Sequence, residues 1–249
     1  MKVNDFYNDF YSKALNSKAH SKFCEKVYGI DLCQHGMTDV EQIKLLLNEV
    51  NLDDSKKVVD FGCGPGFITK YICQLTNCKI IGVDISEVGI EIAKKNNINK
   101  NINYICSDVD FFRKYTNEFD CVLLIDSHYF IDNFCDYLEV ISKSLSKNGK
   151  IVIFSDQGTG IKGFNESETM PEETIIGEYL VTHRIKYKGI RLYEMNKKHW
   201  NLKYKVLMEL KKDFIEEKAM SIFENRMNEC IHHDRSLDGR YLFIVEKFV

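Results

Sequence analysis

A short run of glycines at alternate positions constrains this chain more than any other feature. Val58-Val59-Asp60-Phe61 has the pattern of an apolar strand, and it runs into Gly62-Cys63-Gly64-Pro65-Gly66. Beyond the turn Ile68, Tyr71, Ile72 and Leu75 recur at helical spacing. Gly62, Gly64 and Gly66 open backbone conformations closed to other residues and leave no Cβ between the chain and a ligand. The helix that follows turns its free N–H groups and positive dipole end toward the same space, which suits a carboxylate or another anionic group. A second apolar strand, Ile80-Ile81-Gly82-Val83, ends on Asp84. That is about twenty residues on, where doubly wound folds place an acid against ribose hydroxyls. Ser86 caps the next helix, with Glu87 in its first turn and Lys94 and Lys95 in its last. The pattern predicts a nucleoside pocket.

Two departures from the dinucleotide fingerprint narrow the nucleoside. The spacing is G-x-G-x-G instead of G-x-G-x-x-G, and Asp60 precedes the first glycine by two residues. A carboxylate there repels a pyrophosphate and attracts an ammonium, while the helix N-terminus takes a carboxylate. An amino-acid zwitterion joined to a ribose satisfies both, and S-adenosylmethionine is such a molecule.

These residues resemble the class I S-adenosylmethionine-dependent methyltransferases. Asp60 to Gly66, including Gly62, Cys63 and Gly64, looks like their first motif, and Asp84 with Ile85 like the ribose acid and its neighbour. Ser107-Asp108-Val109, after the strand Ile102 to Cys106, resembles the adenine-binding turn. Phe119 to Asp126 resembles the fourth strand, whose end lies beneath the methionine part. Tyr28-Gly29-Ile30-Asp31-Leu32-Cys33-Gln34-His35-Gly36 looks like the segment of small-molecule methyltransferases that folds over the cofactor, which implies cofactor contacts from Tyr28, Gln34 and His35. The resemblance covers roughly residues 55 to 156. It implies an α/β fold: a Rossmann-like, doubly wound, mostly parallel seven-stranded sheet with an N-terminal helical segment and a helical insertion before the last strand.

The organisation along the chain fits one domain over residues 1–249. Residues 1–50 read as a helical cap, 51–156 as the cofactor-binding core, and 157–249 as the sheet edge with a helical lid at about 196–235. Within the cap Ile43, Leu46, Leu47 and Val50 share one helix face, and Thr38 or Asp39 caps it. Alternating strand and helix in the core demands a parallel sheet with right-handed crossovers. A helix through Phe134, Leu138 and Ile141 is expected to end near Gly149 as its cap. Further expectations are a loose stretch around Gly158 to Gly160, a helix at about 172 to 184, a strand at 188 to 194 and a final strand from Arg240 to Val249.

Composition sets the remaining bounds. A net charge of −3 gives no general attraction to nucleic acid or to an anionic membrane. No apolar run has the length of a membrane span or of a signal peptide, so a cytoplasmic location is the expectation. Nine cysteines without a C-x-x-C read as reduced thiols, and no metal is expected. His232-His233 looks like a metal pair, but adjacent helical residues point in different directions.

Several residues carry a functional and a plain reading side by side. Asp60 contacts the ligand or merely ties the glycine turn, and Asp108 meets the adenine amino group or shapes an ordinary turn. Asp126 contributes through its backbone, through the methionine amine or through water. His128, in Ser127-His128-Tyr129 at the end of the fourth strand, is a general base or a hydrogen-bonded spectator. Tyr11, His35, Tyr129, Trp200 and Arg226 are candidates to line the acceptor end, with core packing the alternative for Tyr11 and a solvated helix face for the insertion.

The expected activity is methyl transfer to a small molecule by in-line displacement. The rivals are a protein, peptide or nucleic-acid methyltransferase, a nicotinamide-dependent oxidoreductase, and a non-catalytic protein that senses the cofactor. Against base methylation, Asp126-Ser127-His128-Tyr129 lacks the Asn/Asp-Pro-Pro-aromatic turn. The insertion is expected to serve as a lid or as the surface of a homodimer, by analogy of fold.

Overall fold

The computed structural model describes residues 3–156, 165, 167–232 and 239–249. Their frame is one seven-stranded sheet: β1 Lys57–Phe61, β2 Lys79–Asp84, β3 Ile102–Cys106, β4 Phe119–Ile125, β5 Leu145–Ser155, β6 Tyr187–Arg191 and β7 Tyr241–Glu246. The strands lie in the order β3-β2-β1-β4-β5-β7-β6. The first five are parallel, and β7 runs antiparallel between β5 and β6. The order reverses between β1 and β4, and a crevice opens at such a switch beyond the strands' carboxyl ends.

Strand alternation divides the core. Val58, Leu123, Val152 and Leu242 point to one face and pack against Ile43 and Leu46 of α3 (Val40–Val50), Ile72 of α4 (Phe67–Thr76) and Ile90 of α5 (Glu87–Lys95). Val59, Val122, Ile153 and Phe243 point to the other, against Leu138 and Ile141 of α6 (Phe134–Ser144) and Leu180 of α7 (Ile175–Thr182). Helices on both faces explain why these strands are apolar throughout.

A third core lies off the sheet. It joins Phe10 of α1 (Val3–Ala14) and Phe23 of α2 (Lys18–Tyr28) to Leu207 and Phe214 of α8 (Tyr193–Glu216) and Phe223 of α9 (Met220–His232). The N-terminal cap and the insertion between β6 and β7 are therefore one helical layer.

The structure revises several local expectations. Asp39 caps α3 by accepting from Gln42 N at 2.9 Å, whereas Thr38 is used elsewhere. Gly149 is no helix cap: α6 ends at Ser144, and Gly149 lies inside β5, where an added Cβ would come within 2.9 Å of Phe119 O. The helix near 172 to 184 is a 3₁₀ turn at Pro171–Glu173 followed by α7. The strand expected to reach 194 stops at Arg191, because Tyr193 already begins α8. The stretch Gly158 to Gly160 and His233 lie outside the described residues. All nine cysteines are free thiols, six of them buried.

Candidate functional site

The glycine turn is folded back on the end of β2. Gly62 N donates to Val83 O at 2.7 Å, and Gly64 N donates to the Asp84 carboxylate at 2.7 Å. Gly62 and Gly64 have φ of +83° and +52°, in the left-handed region. Space is short as well: a Cβ would lie 2.4 Å from Ser127 Cβ at Gly62 and 2.5 Å from Tyr11 Oη at Gly64. The other Asp84 oxygen accepts from Ser86 N at 2.7 Å. Burial raises the Asp84 carboxyl, and these backbone donors oppose the rise. Asp60 lies deeper. It is 2% exposed, accepts from Thr69 Oγ1 on α4 at 2.5 Å, and is pushed up to about 6 by burial.

A cavity of about 310 Å³ opens above this turn. Gly62, Cys63, Asp84, Ile85, Asp108 and Val109 line one end of it. Asp108 accepts from Asp110 N at 3.0 Å to start a 3₁₀ turn, the plain reading, and also forms part of the cavity wall. Tyr11, Gln34, His35, Asp126 and Tyr129 line the remainder. Tyr28, Asp60, Gly64, Gly66, His128, Trp200 and Arg226 are not part of the lining.

Asp126 is spent on structure. One oxygen accepts from Met37 N at 2.8 Å, Thr38 N at 3.0 Å and Thr38 Oγ1 at 2.9 Å; the other pairs with Arg240. Burial works against its ionisation, but the Arg240 guanidinium and the Thr38 and Met37 donors outweigh it and hold the carboxyl below the usual range. Arg240 also donates to Gln42 Oε1 at 3.0 and 2.9 Å and to Thr38 Oγ1 at 2.8 Å.

Arg226 stands behind the covering segment and donates to Gln34 O at 2.6 Å and His35 O at 2.8 Å. It reaches Glu229 at 3.2 Å, and Glu229 pairs with Lys203 at 2.5 Å. Burial opposes the Glu229 charge, yet Lys203 and Arg226 hold its carboxyl down to about 2. His35 Nε2 lies 3.4 Å from Glu229, and the His35 ring sits among Phe6, Tyr7 and Phe10 at 5.5, 5.1 and 4.7 Å. Burial, then Arg226, lowers His35 to about 3, so the ring is neutral.

His128 is packed against Phe134, with Nε2 3.3 Å from Ser155 Oγ, and burial lowers it to about 4. Tyr28 packs on Phe23 and His199 beneath the helical layer, because its ring belongs to the third core. Trp200 stacks over Lys203 Nζ at 4.5 Å on α8.

Sequence reasoning missed Tyr7, Phe130, Lys203, Glu229 and Arg240. Tyr7 and Phe130 meet edge to face at 5.6 Å and both line the cavity. For Arg240 a signal was present: a charge directly before the apolar run Tyr241 to Val245 is buried with its strand and needs a partner.

Comparison with known proteins agrees with this geometry. A family profile described as a methyltransferase domain matches residues 58–149. A sterol 24-C-methyltransferase of Clavispora lusitaniae is 28% identical over 132 residues, 50% of this chain and 34% of that protein. The chain spans less than half the length of the curated relatives it matches. Among solved structures, the [4+2]-cyclase SpnF has a TM-score of 0.71, covering 100% of this chain and 96% of that one at 13% identity. The cyclopropane synthase MmaA2 from Mycobacterium tuberculosis has a TM-score of 0.69, covering 99% and 100% at 13% identity. The profile match falls on the turn, Asp84 and the Asp108 wall, so the chain carries a methyltransferase domain over residues 58–149, within a fold that these solved structures share along nearly its whole length.

Proposed function

We propose that this protein transfers the methyl group of S-adenosylmethionine to a small-molecule acceptor by in-line displacement. One observation carries the reading: Gly62-Cys63, Asp84 and Asp108-Val109 converge on a single cavity at the carboxyl ends of the parallel strands.

The residues fit the cofactor. A Cβ at Gly62 or Gly64 would collide with Ser127 or Tyr11, so only glycine lets the turn pack as it does beside the cavity. Asp84 lines the cavity with lone pairs beyond those given to Gly64 and Ser86, available to ribose hydroxyls. Gln34 lines it too, and its buried Nε2 has no partner among the described residues, which suits a carboxylate. When bound, the cofactor supplies an electrophilic methyl group next to a sulfonium.

The protein's own work is to orient the acceptor and exclude water. Tyr7, Phe130 and Ile131 close the acceptor end with apolar surface. His35, neutral and in the wall, can accept a hydrogen bond from an acceptor that carries a proton, while its low basicity makes it a weak general base. His128 sits behind Tyr129, and its part is to hold Ser155 and support that wall.

The acceptor is a small molecule and not a nucleic acid, in keeping with the net charge of −3 and with the relative named for a sterol. Among the described residues no helix is long and apolar enough to cross a membrane. The reading assigns a cytoplasmic enzyme, with α8 and α9 as a lid or as the face of a homodimer.

Calorimetry with S-adenosylhomocysteine and with NAD tests the cofactor; binding of NAD alone overturns it. Incubation with methyl-labelled cofactor and a metabolite extract tests the reaction. Label in a small product is expected. Label in protein would move the reading to a protein methyltransferase, and binding without transfer to any acceptor would move it to a sensor.

A further inference from the structure

Residues 34–38 cross the cavity wall between two buried arginines that belong to the far end of the chain. On one side Arg226 of α9 donates to the carbonyls of Gln34 and His35. On the other, the amides of Met37 and Thr38 and the Thr38 hydroxyl end on Asp126, whose second oxygen is taken by Arg240. Both arginines are 0% exposed. Gly36 lies between the two anchors, and an added Cβ there would stand 2.5 Å from Asp126 Oδ2, so the chain is pressed onto that carboxylate.

The charges show why the contacts are more than incidental. Arg226 and Lys203 share one carboxylate, Glu229, which leaves an excess positive charge in a buried place. The carbonyl oxygens of Gln34 and His35 supply the missing negative potential. If the strap lifts, Arg226 stays buried and loses those acceptors, a costly state. A guanidinium suits this task because its planar fork serves two carbonyls and a carboxylate together, which an ammonium does not.

We propose that Arg226 and Arg240 are positioning residues that clamp residues 34–38 against the cavity, so that the cofactor leaves only when the clamp yields. Arg226 stands on the helical insertion and Arg240 directly before β7, so the covering strap of residues 34–38 and the insertion open as one piece. Between the anchors the side chains of Gln34 and His35 are held in the wall. The inference rests on the methyl-transfer reading for the identity of the ligand, and on the geometry alone for the clamp.

The test combines S-adenosylhomocysteine dissociation, followed by stopped flow, with hydrogen–deuterium exchange of amides 34–38 in the full chain. Arg226→Lys and Thr38→Val should each raise the dissociation rate about tenfold and speed exchange at Met37 and Thr38. Thr38→Val exchanges a hydroxyl for a methyl group and leaves the Arg240–Asp126 pair and the backbone donors in place, so its unfolding midpoint should stay within a few degrees of wild type. Lys212→Ala, on the exposed face of α8, should change neither readout. Dissociation rates within twofold of wild type in both variants, or an equal rise in Lys212→Ala, would overturn the proposal. If the wild type fails to bind S-adenosylhomocysteine, the cofactor reading falls instead. Exchange in the ligand-free protein then decides the clamp: equal protection of Met37 and Thr38 in wild type and Thr38→Val sinks it.

Discussion

Asp126 and Arg240 form a buried ion pair, with side chains 4% and 0% exposed, that joins the end of β4 to the residue before β7 across 114 positions of sequence. Removing one partner leaves the other charged in a place that water does not reach. Arg240→Met should therefore cost about 3–5 kcal/mol of stability. The double variant Arg240→Met/Asp126→Leu should recover part of that loss. Urea unfolding of the three proteins measures both, and a single variant within 1 kcal/mol of wild type, on the order of a surface change, would refute the pair's importance.

Acid should destabilise the fold already below about pH 6.5, through its buried histidines. Burial pushes His35 to about 3 and His128 to about 4, and lowers His20 and His199 far as well. In the unfolded chain each titrates near 6.5. Below that pH the unfolded state binds more protons, so this stability is complete above about 6.5 and is lost as pH falls toward the folded values. Asp60, raised to about 6 by burial, acts the other way, adding stability at low pH that is lost as pH rises through 6. Four histidines outweigh it: the drop from pH 7 to pH 6 should be on the order of 2 kcal/mol. A urea midpoint equal at the two pH values would contradict this.

Much of the cofactor end was legible because its information is local. The glycine turn, Asp84, Ser86 and Asp108 each announce themselves within a few residues, through a backbone requirement or a cap. The strap's anchors were not legible, because Arg226 and Arg240 meet residues 34–38 only after some 200 positions of chain have folded. Asp60 illustrates a different limit. Its position in the turn was plain, but only packing shows that its carboxylate meets Thr69 behind the cavity wall. Gly149 and the β6 to α8 junction failed for a third reason, since charged and small residues near Gly149 and Arg191 fit helix and strand patterns alike.

Asp84 offers the most direct check on the cofactor end. Asp84→Asn keeps the shape but loses the charged acceptor, and should weaken S-adenosylhomocysteine binding by about 1.5–3 kcal/mol. Calorimetry showing unchanged affinity would take Asp84 out of the site.

Gly62→Ala should abolish measurable cofactor binding and lower stability by about 1–2 kcal/mol for the left-handed conformation alone. The Cβ would also displace Ser127, whose hydroxyl donates to Phe61 O at 2.6 Å. Wild-type binding and an unchanged unfolding midpoint would show that the turn adapts.

The two histidines should separate by assay. His128→Asn should leave S-adenosylhomocysteine affinity within about twofold and lose stability, as expected for a buried support. His35→Gln should keep the fold and lower the rate with any proton-bearing acceptor, by about tenfold, as a hydrogen-bonding group and weak base in the wall. The reverse pattern, with His128→Asn slow and His35→Gln active, would return the proton-transfer role to His128.

The placement of β7 between β5 and β6 also sets an order of assembly. Among the described residues β6 pairs with β7 alone, so during synthesis it has no strand partner until residues 241–246 have emerged. The same late strand brings Arg240 to Thr38, across 202 positions. A growing chain can complete β1 to β5 early, glycine turn included, but its first fifty residues must wait for one of its last strands before they can settle over the crevice. Contacts of such long range make folding slow, and they leave the half-made protein unable to grip the ligand its first strands already outline.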